Sequence, residues 1–448
     1  MQERPEKTRS EPDAVKAAPA DIKEREDAAA PDGTAAAPAA AAGGAPKELQ
    51  IRERNIFRVR GMIDIPLLVI ILILVGFGIA MVYSASYPWA EHDYDNSYYY
   101  VQRQLIFVGM GAAVMIAAAA TDYKIYMKWA APLFFAVSFL LLAAVPVIGK
   151  SVNGAKRWID LGLFRFQPTD IMKLGLVMML AWYISRYVDA YRDLDERTVA
   201  LKNKRVFKRK FKEWFPVFIR ETAIPFMIVG SVCGITLVER HLSGTIILFL
   251  IGWIVMLWGR ISLPWLLGVL GAGGAGAAYI AIFTDYTSDR LRIWLDPYSD
   301  PLGDGWQVIQ GFNAIGSGGL FGVGFTNSTL KHLYLPEPQN DFIFAIVCEE
   351  FGFIGALGLM LLFGLLIWRG ILIAMRAPDS FSRLLAAGIT CKIGVQALLN
   401  IFVVTGLFPP TGISMPFISY GGTALIILLA ECGILLSISR FSSEKKIQ

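Results

Sequence analysis

The chain has 448 residues, 55% of them apolar and 18% charged, with a mean hydropathy of +0.50 and a formal net charge of +5. Soluble chains carry roughly a quarter charged residues, so this composition excludes a soluble globular enzyme. The basic residues gather in a few connections between apolar runs, a pattern of membrane topology and not of nucleic-acid binding.

In chain order, residues 1–50 come first, and "AAAPDGTAAAPAAAAGGAP" marks them as low-complexity sequence that can bury no core. They lack the apolar core of a secretory signal and read as a disordered cytosolic tail. Beyond them, apolar runs recur at about the 20 residues needed to cross ~30 Å of hydrocarbon. They predict ten spans at 63–84, 104–120, 129–148, 170–187, 222–238, 243–259, 263–283, 341–368, 384–406 and 418–438. The expected fold class is an all-α polytopic membrane protein with a membrane domain over 51–440 and a short tail at 441–448.

Orientation follows from basic residues, which accumulate on the cytosolic side. "IRERNIFRVR", "KNKRVFKRKFKEWF", "RGILIAMRAPDSFSR" and "RFSSEKK" all fall on one face of a ten-span arrangement, placing both termini in the cytosol. The basic connection 188–221 reads either as topogenic charge or as a lipid-binding amphipathic segment with Phe207, Phe211, Trp214 and Phe215 near the headgroups. The opposite face receives 85–103, 148–169, 285–340 and 407–417, of which 285–340, between helices 7 and 8, is the largest. A loop this long is functional or disordered, and its Trp, Tyr and Phe content argues against disorder.

Several polar groups interrupt the oil. Lys392, Gln396 and Asn400 recur every four residues in the ninth span and make one polar stripe facing the bundle interior. Glu431 in the tenth span lies at matching depth and is the expected partner of Lys392. Glu349 and Glu350 in the eighth span, with Lys173 in the fourth, point to a polar cavity near the outer face; Lys173 reads equally as a structural residue. The outer connection "GKSVNGAKRWIDLGLFRFQPTD" (149–170) carries Lys156, Arg157 and Arg165 against the usual charge bias, which an anionic partner such as phosphate would explain. Cys233, Cys348, Cys391 and Cys432 sit apart in apolar runs, without metal spacing or a disulfide framework.

Two glycine-rich stretches carry no nucleotide fingerprint. "AIGSGGLFGVGF" (314–325) reads as close-packed or flexible backbone, and "FPPTGISMPFISYGGTAL" (408–425) as a re-entrant or bent segment. In the large loop, "WLDPYSDPLGDGWQVIQG" (294–311) spaces Asp296, Asp300 and Asp304 four apart. Pro297 and Pro301 keep these acids off a common helix face, and Asp-Pro pairs are ordinary turn chemistry.

"SVNGAKRWIDLG", "DPLGDGWQVIQG", "LPEPQNDFIFAIVCEEFGFIG" and "FPPTGISMPFISYGGTAL" resemble, in order and spacing, the signature segments of the SEDS proteins. These are the shape, elongation, division and sporulation glycosyltransferases of the bacterial cytoplasmic membrane. The resemblance spans about residues 60–440, and "TNSTLKHLYLPEPQNDFIFA" is closer to the FtsW/SpoVE-like branch than to the elongation branch. Two segments depart from the family pattern, Gln167-Pro168-Thr169-Asp170 and "ERHLSGT" (239–245).

The resemblance implies a peptidoglycan polymerase that joins lipid II units during cell division and releases undecaprenyl pyrophosphate. It singles out Asp300 as general base, whose strength partial burial among Trp294, Tyr298 and Trp306 would raise. Arg157, Lys173, Trp158, Gln310 and Glu349 are the implied substrate-binding residues. Family behaviour implies a divalent cation, Mg2+ or Mn2+, for which no ligand set is legible. The implied partners are lipid II, a class B penicillin-binding protein (a transpeptidase), other divisome proteins and membrane lipids, at the septum. A non-enzymatic lipid II transporter, a scaffold that only recruits a transpeptidase, and the elongation or sporulation members of the family are the alternatives.

Overall fold

A computed structural model of the protein describes residues 61–152, 155–160, 162, 165–189, 218–283 and 285–441. The expected tail at 1–50, the 190–217 part of the basic connection and the tail after 441 lie outside the described residues.

Helices dominate: α1 (Ile65–Tyr94), α2 (Tyr99–Ala120), α3 (Ala131–Ile148), α4 (Pro168–Tyr183), α5 (Ile224–Val238), α6 (Leu242–Trp258) and α7 (Leu263–Phe283). They continue as α8 (Asp285–Leu295), α9 (Trp306–Gly318), α10 (Ile343–Met375), α11 (Ser380–Val404) and α12 (Gly422–Ser439). Among the described residues, eight helical stretches are long and apolar enough to cross a membrane. Leu242–Trp258 and Leu263–Gly276 are apolar but shorter. The chain is therefore a multi-pass membrane protein. α4, α11 and α12 form the interior, with 67%, 72% and 67% of their apolar windows buried, whereas α2 and α3 turn most of their side chains outward. Side chains exposed to lipid on α2, such as Ile106 and Ile116, need no partner in hydrocarbon.

Gly61 and Arg440 meet at one end of the bundle, the terminal end, where the Gly61 N–H donates to the Arg440 carbonyl at 2.8 Å. Asp64 caps α1 by accepting the Leu67 N–H at 2.9 Å, and its carboxylate also takes a two-pronged bond from Arg369 of α10, at 2.6 and 3.3 Å. Asp379 caps α11 in a capping box and accepts the Tyr123 hydroxyl at 2.6 Å. These bonds tie α1, α10, α11 and the α2–α3 connection together without spanning the apolar core.

The opposite, loop end departs from a purely helical expectation. The 148–169 connection forms a small antiparallel sheet of β1 (Lys150–Val152), β2 (Ala155–Asp160) and β3 (Arg165–Phe166), in the order β1-β2-β3. Lys150 pairs with Trp158, and Ile159 with Phe166. The long connection between α7 and α10 contains two helices, α8 and α9, where no ordered element was assigned from sequence. α1 also runs ten residues past its expected end at 84, through Pro88 to Tyr94.

The glycine stretch after α9 is close-packed. Gly322 (φ 80°) lies against the Glu350 carbonyl, and Gly352 (φ 67°) in α10 lies against the backbone of Leu320 and Gly322. A Cβ at Gly322 would enter the Glu350–Phe351 backbone and one at Gly352 the Leu320 and Gly322 backbone, and both φ values favour glycine. The pair seats the loop on α10 where that helix kinks.

Candidate catalytic centre at the loop end

The polar stripe on α11 supports the irregular segment 406–421, whose bond-seeking carbonyls lie inside the bundle. Asn400 donates to the carbonyls of Asp341 (2.8 Å) and Ile413 (2.6 Å), and Gln396 to that of Ser414 (3.0 Å). Ser243 donates to the Thr411 carbonyl at 2.6 Å, Arg290 of α8 to Pro410 at 2.7 Å, and Trp294 to Gly406 at 2.8 Å. Buried carbonyls without partners are costly, so these side chains make the non-helical path tolerable. Deeper in the stripe Lys392 meets Glu431 at 2.7 Å, the pairing expected from their depths. A small cleft of about 30 Å³ opens among Asp170, Lys392, Gln396, Ser414 and Phe417.

Beside the cleft, three cations from three elements converge on His241, the residue before α6. Burial holds its imidazole well below the usual range, and Arg157 of β2, Lys173 of α4 and Arg290 of α8 push in the same direction. His241 is thus a neutral ring, contacting Thr169 Oγ1 and the Gln167 amide at 3.3 Å each. Arg157 donates to the Arg240 carbonyl at 2.8 Å. Lys173 is 6% exposed and ion-paired with Asp170 at 2.7 Å. Neighbouring Glu239 is 3% exposed, and neither carboxyl oxygen has a hydrogen-bond partner among the described residues. Burial pushes Glu239 up to about 8 against the opposing charge of Arg157. Asp341, before α10, is likewise pushed up to about 6 by burial, with Arg290 opposing.

α8 links this electropositive region to the acidic turn. Asp296 ends the approach from α8 and caps a 3-10 turn, Pro297–Ser299, by accepting the Tyr298 N–H at 3.1 Å. Asp300 closes that turn, and its Oδ2 accepts the Asp304 N–H at 3.1 Å. Its Oδ1 accepts no hydrogen bond among the described residues. Gly303 packs directly on this carboxylate. Trp294 and Trp306 are half-buried and anchored to the Gly406 and Tyr334 carbonyls, while Tyr298 is 67% exposed. Asp304 is exposed. The three acids of the motif therefore have separate situations: a cap, a half-buried carboxylate with one open oxygen, and a surface acid.

The remaining expected site residues divide between clusters. Trp158 lies next to Arg157 on β2, half-buried. Gln310 is buried in α9 and accepts from Asn313 at 3.3 Å. Glu349 is buried, and its oxygens accept from Ser328, from the Thr329 N–H and hydroxyl, and from the Leu330 N–H. Glu350 instead pairs with Lys331 at 2.7 Å, both fully buried. The hydrogen-bond partners of Glu349 and Glu350 thus belong to the 328–331 loop and, for Glu350, also to Ser84 of α1, not to the cluster around Lys173. Sequence reasoning assigns no role to His241, Glu239, Arg290 or Lys331; the departure from the family pattern at 239–245 and the rarity of histidine (three in the chain) are the local signals for His241.

Among the described residues, no three or more His, Cys, Asp or Glu side chains converge as a metal-holding group.

Comparison with known proteins accords with this geometry. Residues 65–444 match the profile of the FtsW/RodA/SpoVE cell cycle protein family. Stage V sporulation protein E of Bacillus subtilis (strain 168) is 39% identical over 385 residues, covering 85% of this chain and 97% of that protein. A probable peptidoglycan glycosyltransferase FtsW of Geobacter sp. (strain M18) is 37% identical, covering 85% and 98%. Among solved structures, one chain of a peptidoglycan synthase complex, described as coordinating polymerization and crosslinking, superposes with a TM-score of 0.65 at 28% identity, covering 85% and 99%. The rod shape determining protein RodA of Thermus thermophilus superposes with a TM-score of 0.58 at 26% identity, covering 85% and 98%. With the family profile spanning nearly all of the membrane domain, the chain belongs to the FtsW/RodA/SpoVE family, the SEDS proteins.

Proposed function

We propose that the protein is a peptidoglycan glycosyltransferase that polymerises lipid II at the outer face of the cytoplasmic membrane. The single observation that carries the reading is the Asp300 turn: a half-buried carboxylate with one open oxygen, joined through α8 to a cationic cluster. The names of its relatives supply the activity, and the basic connections at the terminal end supply the orientation.

In this reading Asp300 Oδ1 accepts the proton of the acceptor's 4-hydroxyl as that oxygen bonds to C1 of the donor MurNAc. The C1–oxygen bond to pyrophosphate breaks, and its electron pair leaves with undecaprenyl pyrophosphate. Arg157, Lys173 and Arg290 stabilise the developing negative charge through their combined field, which a neutral His241 does not offset. Trp158 and Gln310 flank the sugars, while Glu349 acts by fixing the 328–330 turn. The membrane domain over 51–440 is the working unit, with cytosolic tails at 1–50 and 441–448.

The partner is a class B penicillin-binding protein, in keeping with the synthase complex to which the fold is similar. Both FtsW proteins and a sporulation protein occur among the relatives; the division role at the septum is the reading favoured by the Asn327-Ser328 and Lys331 pattern of the loop. The decisive experiment supplies lipid II to the purified protein with its transpeptidase and assays glycan polymer. Wild type makes polymer, and Asp300→Ala and Asp300→Asn do not. Polymer from Asp300→Ala sinks the general-base assignment. Transport of lipid II without polymer supports the transporter instead. In cells, depletion produces filaments if the role is division.

A further inference from the structure

Away from the catalytic turn, the loop end carries a second cleft, of about 410 Å³, lined by Tyr87, Glu91, His92, Ser97, His332 and Leu333. α1 overruns its apolar stretch to form one wall, and the 331–335 segment forms the other. The floor is rigid. Lys331 is fully buried, bonds Glu350 at 2.7 Å and Ser84 at 3.0 Å, and lies 4.9 Å from the Tyr87 ring centre. The Tyr87 hydroxyl reaches His332 Nε2 at 3.2 Å, so the two walls are bonded across the cleft. Leu333 is held at φ 66° with its side chain 46% exposed, a backbone state that bulky residues avoid unless the surroundings impose it.

The chemistry of the lining is that of a sugar site. Tyr87 lines the cleft, and Tyr83, which stacks on Tyr98 at 5.6 Å, packs behind it, so one tyrosine ring backed by two others reaches the cleft. Such rings present apolar faces to the C–H faces of pyranoses, while a few fixed polar groups bond hydroxyl and acetamido substituents. Glu91 gives one oxygen to Ser97, and its Oε1 accepts no hydrogen bond among the described residues. Glu91, Asp93 and Asp95 make this rim acidic, opposite in sign to the cluster around His241. Acidic surroundings repel a pyrophosphate and accept an uncharged sugar backbone. The cleft is also physically coupled to the catalytic turn, because Trp306, six residues after Asp300, donates to the Tyr334 carbonyl at 2.7 Å.

We propose that this cleft is a second carbohydrate subsite that holds the already polymerised, phosphate-free part of the glycan strand while its lipid-linked end reacts at Asp300. The inference rests on the polymerase reading and adds to it a reason for processivity: a strand held at two points does not leave after each addition.

Binding is tested directly with a β-1,4-linked N-acetylglucosamine hexamer titrated into the purified full-length protein. Wild type binds the hexamer saturably, and inorganic pyrophosphate does not displace it. His332→Ala and Glu91→Ala each weaken binding about tenfold, and the milder Tyr87→Phe, which removes only the bond to His332, weakens it less. With lipid II, the same variants keep the initial rate within about twofold and make strands several-fold shorter. Wild type that ignores the hexamer, or correctly folded variants that bind it as wild type does, overturns the proposal. Loss of transpeptidase binding with unchanged hexamer binding also overturns it, in favour of protein docking. If wild type binds the hexamer through His332 and Glu91 yet makes no polymer, the polymerase reading fails and the sugar site stands.

Discussion

Lys392 of α11 donates to both carboxylate oxygens of Glu431 in α12, at 2.7 and 3.0 Å, and their side chains are 7% and 1% exposed. A pair this deep adds little net stability over an apolar replacement, but removing one member strands a buried charge. Lys392→Met or Glu431→Leu alone is expected to cost about 3–5 kcal/mol, whereas the double variant recovers most of it. Thermal unfolding in detergent measures the difference. Charge reversal at both positions, Lys392→Glu with Glu431→Lys, should likewise restore folded yield lost by either reversal alone.

One side chain, Asn400, satisfies two carbonyls from different elements, Asp341 before α10 and Ile413 in the irregular segment. Asn400→Leu fills similar volume and leaves both carbonyls buried without that donor, at about 1–3 kcal/mol for each. The expected outcome is a lower melting temperature together with faster proteolysis within 406–421. Equal cleavage in the variant and wild type would mean that Asn400 does not hold the segment.

These two cases show what kind of information was readable in the chain. The Lys392–Glu431 pair was legible because helical spacing put Lys392, Gln396 and Asn400 on one face, and apolar surroundings limited the possible partners. Segment 406–421 was legible through Pro409, Pro410, Gly412 and Gly421, which break helices locally. The division of labour among Asp296, Asp300 and Asp304 was only half legible: prolines ruled out a helix face, and the family resemblance picked the acid. Lys331 and Glu350 are not paired from sequence, since Lys331 lies in an irregular loop whose path onto α10 has no periodic signal. The three-stranded sheet was missed for the same reason, because strands of two to six residues depend on cross-strand partners. Helix α9 was hidden by its glycines, Gly311, Gly316 and Gly318, which lower helix propensity, while Gly318 allows close packing on Cys348 of α10.

Gly303 offers a way to move the Asp300 carboxylate without changing it. A Cβ at position 303 would fall within 2.8 Å of both Cγ and Oδ1 of Asp300. The carboxylate is the free end of a side chain, so it rotates away and the turn itself survives. Gly303→Ala should therefore lower kcat by about 10²-fold, the scale of a 1 Å misplacement, with KM and melting temperature nearly unchanged. Normal kcat with a displaced carboxylate would remove the requirement for Asp300 at this position.

Glu239 and His241 give stability opposite dependences on pH. The Glu239 carboxyl titrates near 8 in the folded protein, well above its ordinary value of 4.5. Between those values the unfolded chain has lost the proton that the folded protein retains, so stability falls as pH rises through this window and levels off above about 8. His241 behaves in the other sense. Its folded value lies well below 6.5, so below that pH the unfolded chain binds a proton that the folded protein refuses, and stability falls as pH drops. Melting temperatures measured from pH 5 to 9 should separate the two contributions. Glu239→Gln keeps a neutral, hydrogen-bonding side chain and should flatten the decline between pH 4.5 and about 8, leaving the His241 contribution below 6.5 in place. His241→Gln should flatten the acid limb only. A decline toward pH 8 that persists unchanged in Glu239→Gln would mean that another group, not this buried carboxyl, holds its proton in the folded protein there.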